Sequence, residues 1–226
     1  MTDRWLVPAL RVFEACLAPL WAAQWRLRLL LPPRPLPSDA PLLLVANHIG
    51  WWDGFALLAL RSRLRPDAPH YTVMLARELR RQPWFRLLGA LPLEPGRPGS
   101  VRRLLRMLQR LRRRVPRLTL AFFPQGRIWP SFRRPLGFRR GLDAVARALA
   151  PCWILPCALH AEPLTERRPT LFVLSDRPFY ADKRGIDTGL VETRVTALLD
   201  GLHRFLAEVG EDAARRWPQL AGELGR

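Results

Sequence analysis

Five short apolar runs alternate with helical patterns between residues 42 and 175, and this alternation narrows the fold more than any other feature of the chain. The runs are Leu42 to Ala46, Tyr71 to Ala76, Leu118 to Phe123, Cys152 to Leu159 and Thr170 to Ser175. Leu42 to Ala46 is continuously apolar and bounded by turn formers, as a strand buried on both faces requires. Helical patterns lie between the runs, over Trp52 to Arg63, Arg77 to Leu88, Gly99 to Arg114 and Arg139 to Leu149. Strands alternating with helices predict a single α/β domain with a largely parallel mixed sheet flanked by helices. In the third helical pattern Val101, Leu104, Leu105, Leu108 and Leu111 recur at helical spacing and arginines take the other positions, so one stripe packs and the rest is solvated. A closing helix carries Val191, Val195, Leu198, Leu199, Leu202, Phe205 and Val209 on one stripe, with Asp187 or Thr188 as its N-cap.

Residues 1–31, ahead of this pattern, are rich in Leu, Ala and Trp, and Pro8 and Pro19 break or start helical pieces. The longest uncharged stretch, Ala15 to Trp25, falls short of the roughly 20 residues that a spanning helix needs. Trp5, Trp21 and Trp25 suit the headgroup level and the nearby arginines suit lipid phosphates, so the segment reads as an amphipathic, interfacial helical hairpin. The alternative is an ordinary amphipathic helix packed on the domain. Five prolines within residues 32–41 predict an extended linker, and residues 42–226 form the domain.

The charge calls for an anionic partner: 37 Lys+Arg against 19 Asp+Glu give a net +18. Nucleic acid and an anionic lipid surface satisfy that number equally. No helix-turn-helix, RNP or zinc pattern accompanies the arginines, so nucleic acid is not the expected partner. Cys16, Cys152 and Cys157 lie in apolar surroundings without histidines at metal-ligand spacing, which predicts buried free thiols and no metal site.

Chemistry concentrates directly after the first apolar run, in Asn47-His48-Ile49-Gly50-Trp51-Trp52-Asp53. Open α/β sheets place their sites at such strand ends. A turn at Gly50 brings the Asp53 carboxylate back to the His48 imidazole, where it would fix one ring nitrogen as a donor and leave the other as a base. On spacing alone, a helix-capping Asp53 and a hydrogen-bonded structural His48 fit as well. Further on come Phe123-Pro124-Gln125-Gly126-Arg127, then Leu136-Gly137-Phe138-Arg139-Arg140-Gly141 opening a helix, and Ile154-Leu155-Pro156-Cys157-Ala158 in the next apolar run. His70, His160 and His203 read as structural, and Trp51 and Trp52 as core.

In these blocks, over roughly Leu42 to Leu159, the chain resembles the lysophospholipid acyltransferase family, the glycerolipid enzymes that include 1-acylglycerol-3-phosphate acyltransferase. The resemblance implies His48 as general base and Asp53 as its orienting partner. It also implies substrate-binding roles for Gln125, Gly126 and Arg127. Three positions depart from the pattern: Gln125 replaces a usual glutamate, Arg127 stands one place from the usual arginine, and Pro95 replaces an arginine expected to hold an acceptor phosphate. Arg97, two positions later, is the expected substitute.

The resulting expectation is direct transfer of a fatty-acyl group from acyl-CoA or acyl-carrier protein to a hydroxyl of an amphiphilic lipid, such as a lysophospholipid. No covalent acyl-enzyme and no cofactor are needed, and the candidate donors to the oxyanion are backbone N–H groups near Gly126 and the Arg127 or Gln125 side chains. The protein is placed at the cytoplasmic face of the membrane, peripheral or monotopic, against its anionic surface. Alternatives are a lipid or glycolipid acceptor without phosphate, a catalytically silent lipid-binding relative and an arginine-rich nucleic-acid-binding module.

Overall fold

The protein is described by a computed structural model, which covers residues 6–31, 36, 39–165, 167–213 and 215–217. Its centre is β2 (Leu42–Ala46), every residue of which is buried. This strand lies parallel to both β5 (Thr119–Phe122) and β6 (Cys152–Glu162). Beyond β5 follow β3 (His70–Leu75) and the edge strand β4 (Ala90–Leu93), also parallel. Beyond β6 the direction reverses: β7 (Thr170–Ser175) and β8 (Phe179–Ala181) both pair with it antiparallel. β1 (Arg26–Leu30) closes the far edge, parallel to β7, and the sheet has eight strands among the described residues. The expected largely parallel mixed sheet is therefore present. The ends of β2, β3, β4 and β5 that lead into loops all point the same way, and that shared end carries the site.

Helices cover both faces. α2 (Asp53–Leu64) buries Ala56, Leu57 and Leu60 against Leu42, Leu44, Ala121 and Leu155. On the opposite face α4 (Pro98–Arg114) and α5 (Gly141–Leu149) press Leu104, Leu108, Leu142 and Val145 onto Leu43, Val45, Leu120 and Phe122. α6 (Thr188–Val209) packs Val195, Leu199 and Leu202 on Ala158, Phe172 and Leu174. Its N-cap is Asp187, whose side chain accepts from the Gly189 N–H at 2.8 Å. Burying a Leu-sized side chain contributes about 1.5–3 kcal/mol, so these two-sided contacts dominate the stability of the domain.

Three expectations change. The helix read over Arg77 to Leu88 divides into α3 (Ala76–Arg81) and a 3-10 turn over Pro83–Leu88, because Pro83 supplies no N–H and disfavours helical backbone at Gln82 before it. The hairpin expected in residues 1–31 is a single helix, α1 (Leu6–Gln24), followed by strand β1. α1 packs on the domain: Leu10 is fully buried, Phe13 stacks on Phe55 at 5.9 Å, and Arg11 pairs with Asp67 at 2.5 Å. Cys16 is exposed on α1, whereas burial pushes the Cys152 thiol up to about 12 and raises Cys157 as well. Trp5, the Trp21 side chain and most of the proline-rich stretch over 32–41 lie outside the described residues. No helix among the described residues is long and apolar enough to cross a membrane.

Candidate active site

His48 follows β2 by two residues, at the shared strand end, and Asp53 opens α2. The bend at Gly50 returns the carboxylate to the ring: Asp53 Oδ2 lies 2.7 Å from His48 Nδ1. The same oxygen accepts the backbone N–H of Ile49 at 2.6 Å and of Gly50 at 3.0 Å. Asp53 is 1% exposed, so its charge is held by these three donors and by the positive end of α2. A carboxylate acceptor at Nδ1 requires that nitrogen to carry the proton, which leaves Nε2 with a free lone pair.

The backbone of His48 is fixed at both ends. Its N–H donates to Gln125 Oε1 at 2.7 Å, and its carbonyl accepts from the Trp129 N–H at 2.8 Å. Its ring stacks on Phe123 with centroids 4.5 Å apart. Next to it, Asn47 exchanges two hydrogen bonds with the Leu159 backbone, at 2.9 and 2.8 Å, tying the end of β2 to β6. Freedom at the His48 corner is removed by neighbours on three different segments.

Gln125, read from the resemblance as a binding residue, lies behind the His48 backbone. It is 3% exposed, and its second amide end donates to the Leu136 carbonyl at 2.8 Å. It braces the site from behind and does not line the cavity that His48 faces. One end must accept and the other donate, which a neutral amide does and an ionised glutamate does not. Gly126 is at φ +69°, the left-handed region, and a Cβ there would sit 3.5 Å from the Arg139 guanidinium. Its N–H is occupied by the Phe123 carbonyl at 3.1 Å, so this group is not a free oxyanion donor.

His48 opens onto a cavity of about 610 Å³. Its lining includes the apolar side chains of Phe55 and Leu58 of α2, Val73 and Met74 of β3, and Phe85 and Leu88 of the 3-10 turn. Arg77, Arg127 and Arg139 line it as well, together with Glu78, to which Arg77 donates at 3.1 Å. Arg77 and Arg139 were not singled out in the sequence; each stands just past a strand end or before a helix, and only the fold places both on the wall of one cavity. Trp51, expected in the core, is 46% exposed and lines this cavity, while Trp52 does not. Arg97 lies elsewhere: it is exposed, bonds Glu94 at 2.9 Å and borders a separate groove, although Pro95 is on the cavity wall.

The loop over the site, residues 127–138, is strapped down at several points. Ser131 Oγ lies 2.7 Å from His160 Nδ1, Arg134 pairs with Asp200, and Glu192 accepts the N–H groups of Gly137 and Phe138, each at 2.8 Å. Arg127 and Arg133 lie over the Trp129 ring at 4.6 and 3.6 Å. No cluster of metal-ligating side chains occurs among the described residues.

Comparison with known proteins agrees with the blocks read from the sequence. A family model described as Acyltransferase matches residues 32–160, which contain His48, Asp53 and the whole Gln125 brace. No curated protein matches the chain.

Proposed function

Since the chain belongs to the Acyltransferase family, we propose that it moves a fatty-acyl group from a thioester, acyl-CoA or acyl-carrier protein, to a hydroxyl of a membrane lipid such as a lysophospholipid. The observation that carries this reading is the His48–Asp53 pair, 2.7 Å apart, with His48 on the wall of a cavity lined by both apolar side chains and arginines. The apolar side chains suit an acyl chain, and Arg77, Arg127 and Arg139 suit an anionic headgroup.

His48 Nε2 takes the proton of the acceptor hydroxyl as its oxygen attacks the thioester carbonyl. Asp53 stabilises the imidazolium that results. The tetrahedral intermediate places its negative oxygen towards Arg127, then collapses and breaks the carbon–sulfur bond. The departing thiolate takes the proton from His48, so ester and free thiol leave and no acyl-enzyme forms. Base assistance of this kind typically contributes about 10² to 10⁴-fold.

The rim of the cavity supports a membrane location. Trp51 and Ile128 on its wall are exposed, as are Trp84 and Leu87 of the 3-10 turn that contributes Phe85 and Leu88 to the lining, and Phe132 of the 127–138 loop, and such apolar groups with nearby arginines suit an anionic leaflet. The cytoplasmic face, where such lipids and thioesters meet, is the proposed site of action. A phosphate-free lipid acceptor is the second reading, favoured by Pro95 on the cavity wall and Arg97 outside it. The test is to supply the full chain with acyl-CoA or acyl-carrier protein and either lysophosphatidate or a lysoglycolipid in mixed micelles. New ester on the phosphate-bearing lipid supports the first reading, ester on the glycolipid alone supports the second, and no ester from either donor overturns both.

A further inference from the structure

Beside the His48 cavity lies a groove of about 540 Å³ that the acyl-transfer chemistry leaves unused. Arg80, Arg86, Arg97 and Arg103 line it, with Glu94 as the only carboxylate among the lining residues. Glu94 sits between two of the arginines, at 3.2 Å from Arg80 and 2.9 Å from Arg97, and the Arg80 hydrogen bond leads in holding its carboxyl below the usual range. This arrangement spreads and orients the two guanidiniums. Arg86 and Arg103 have no carboxylate partner among the described residues, so the groove keeps an excess of positive charge.

The groove and the cavity share Gly96. That glycine is at φ +81°, and no heavy atom lies within 4 Å of where its Cβ would be, so no neighbouring side chain fills the space at this shared position. The arginines on the cavity's own wall are a different set: Arg77, bonded to Glu78, Arg127, lying over Trp129, and Arg139.

Building on the proposed acyl transfer, we propose that this groove binds the phosphate-bearing part of the acyl donor. An acyl thioester of phosphopantetheine carries phosphate at the end of a flexible arm remote from the reacting carbonyl, whether the arm ends in a nucleotide, as in CoA, or on a carrier protein. Guanidiniums recognise phosphate through paired N–H donors and keep their charge at any working pH. Arg97, which the sequence assigns to the acceptor, serves the donor in this arrangement.

The double variant Arg86→Ala/Arg103→Ala tests the groove without removing either arginine that Glu94 holds. Free CoA and a holo carrier protein are each titrated into the full-length parent and variant, with melting temperatures confirming the fold. The parent binds at least one carrier, and the variant binds it roughly tenfold or more weakly. In turnover, KM rises for that donor and not for the lipid acceptor. Equal binding by parent and variant, no binding of either carrier by the parent, or a rise confined to the acceptor KM overturns the proposal. The titration requires no turnover, so its result is independent of whether His48 transfers the acyl group.

Discussion

Two histidines, His48 after β2 and His160 within neighbouring β6, each have a carboxylate and other hydrogen-bonding groups at hand, yet their surroundings differ. His160 has the fuller set of catalytic-looking partners: Ser131 Oγ is 2.7 Å from Nδ1, and Glu162 Oε2 is 3.3 Å from Nε2 without the alignment of a hydrogen bond. It is nevertheless 9% exposed, packed against Phe172 and His203, and absent from the wall of the His48 cavity. His48 has a single carboxylate, but its free nitrogen belongs to a ring that faces an acyl-sized cavity. The difference teaches that the surroundings of the unbound nitrogen decide the role of a histidine, more than the number of polar neighbours. His160 holds the loop, and His48 faces the cavity, as the proposed proton transfer requires.

The largest effect that sharpens this contrast is expected from Asp53→Asn. Loss of the carboxylate that sets the His48 tautomer should lower the acyl-transfer rate about 10² to 10⁴-fold, read as kcat in a thioester assay, with little change in KM. Gln125→Glu comes next. An ionised carboxylate facing the Leu136 carbonyl leaves a buried acceptor without its donor, costing up to about 3 kcal/mol in a denaturant melt and slackening the backbone of His48.

Acid tests the burial of His160, and of His70 with it. Burial, with a smaller contribution from His203, lowers His160 from 6.5 to about 4, and burial lowers His70 from 6.5 to about 3. The unfolded chain therefore takes up protons near pH 6.5 that the folded chain refuses, and stability falls as pH drops from 7 towards 4. Each of these histidines should cost about 2 kcal/mol at pH 5, and a His160→Asn variant should lose less stability than the parent over that range. The smallest effect is expected from Ser131→Ala, about 1 kcal/mol of stability with kcat changed by no more than about threefold, because that hydroxyl anchors the loop and does not touch the reacting atoms.

Local features were readable in the sequence and converging ones were not. His48 and Asp53 lie within six residues of each other, so a single turn brings them together. The strands buried on both faces declared themselves as apolar runs. β4 did not, because Pro92 interrupts its pattern; an edge strand paired on one side only tolerates a proline there. β1 alternates Arg and Leu but is contiguous with a helical segment that masks the change of period. Gln125 was read as a binding residue from the resemblance, and its burial behind His48 has no sequence signature. Arg77 and Arg139, far apart in the sequence, line one cavity only through the fold, and Arg97, which bonds Glu94, lines the neighbouring groove instead.

The central claim is that the free nitrogen of His48, and not that of His160, drives transfer. The most direct measurement compares purified His48→Ala and His160→Ala, each corrected for folded fraction by its melting curve, for ester formation from an acyl thioester and a lipid hydroxyl. The account predicts a loss of about 10³-fold or more for His48→Ala and a loss within about tenfold for His160→Ala. A His48→Ala protein that is folded and transfers acyl groups at the parent rate would contradict it.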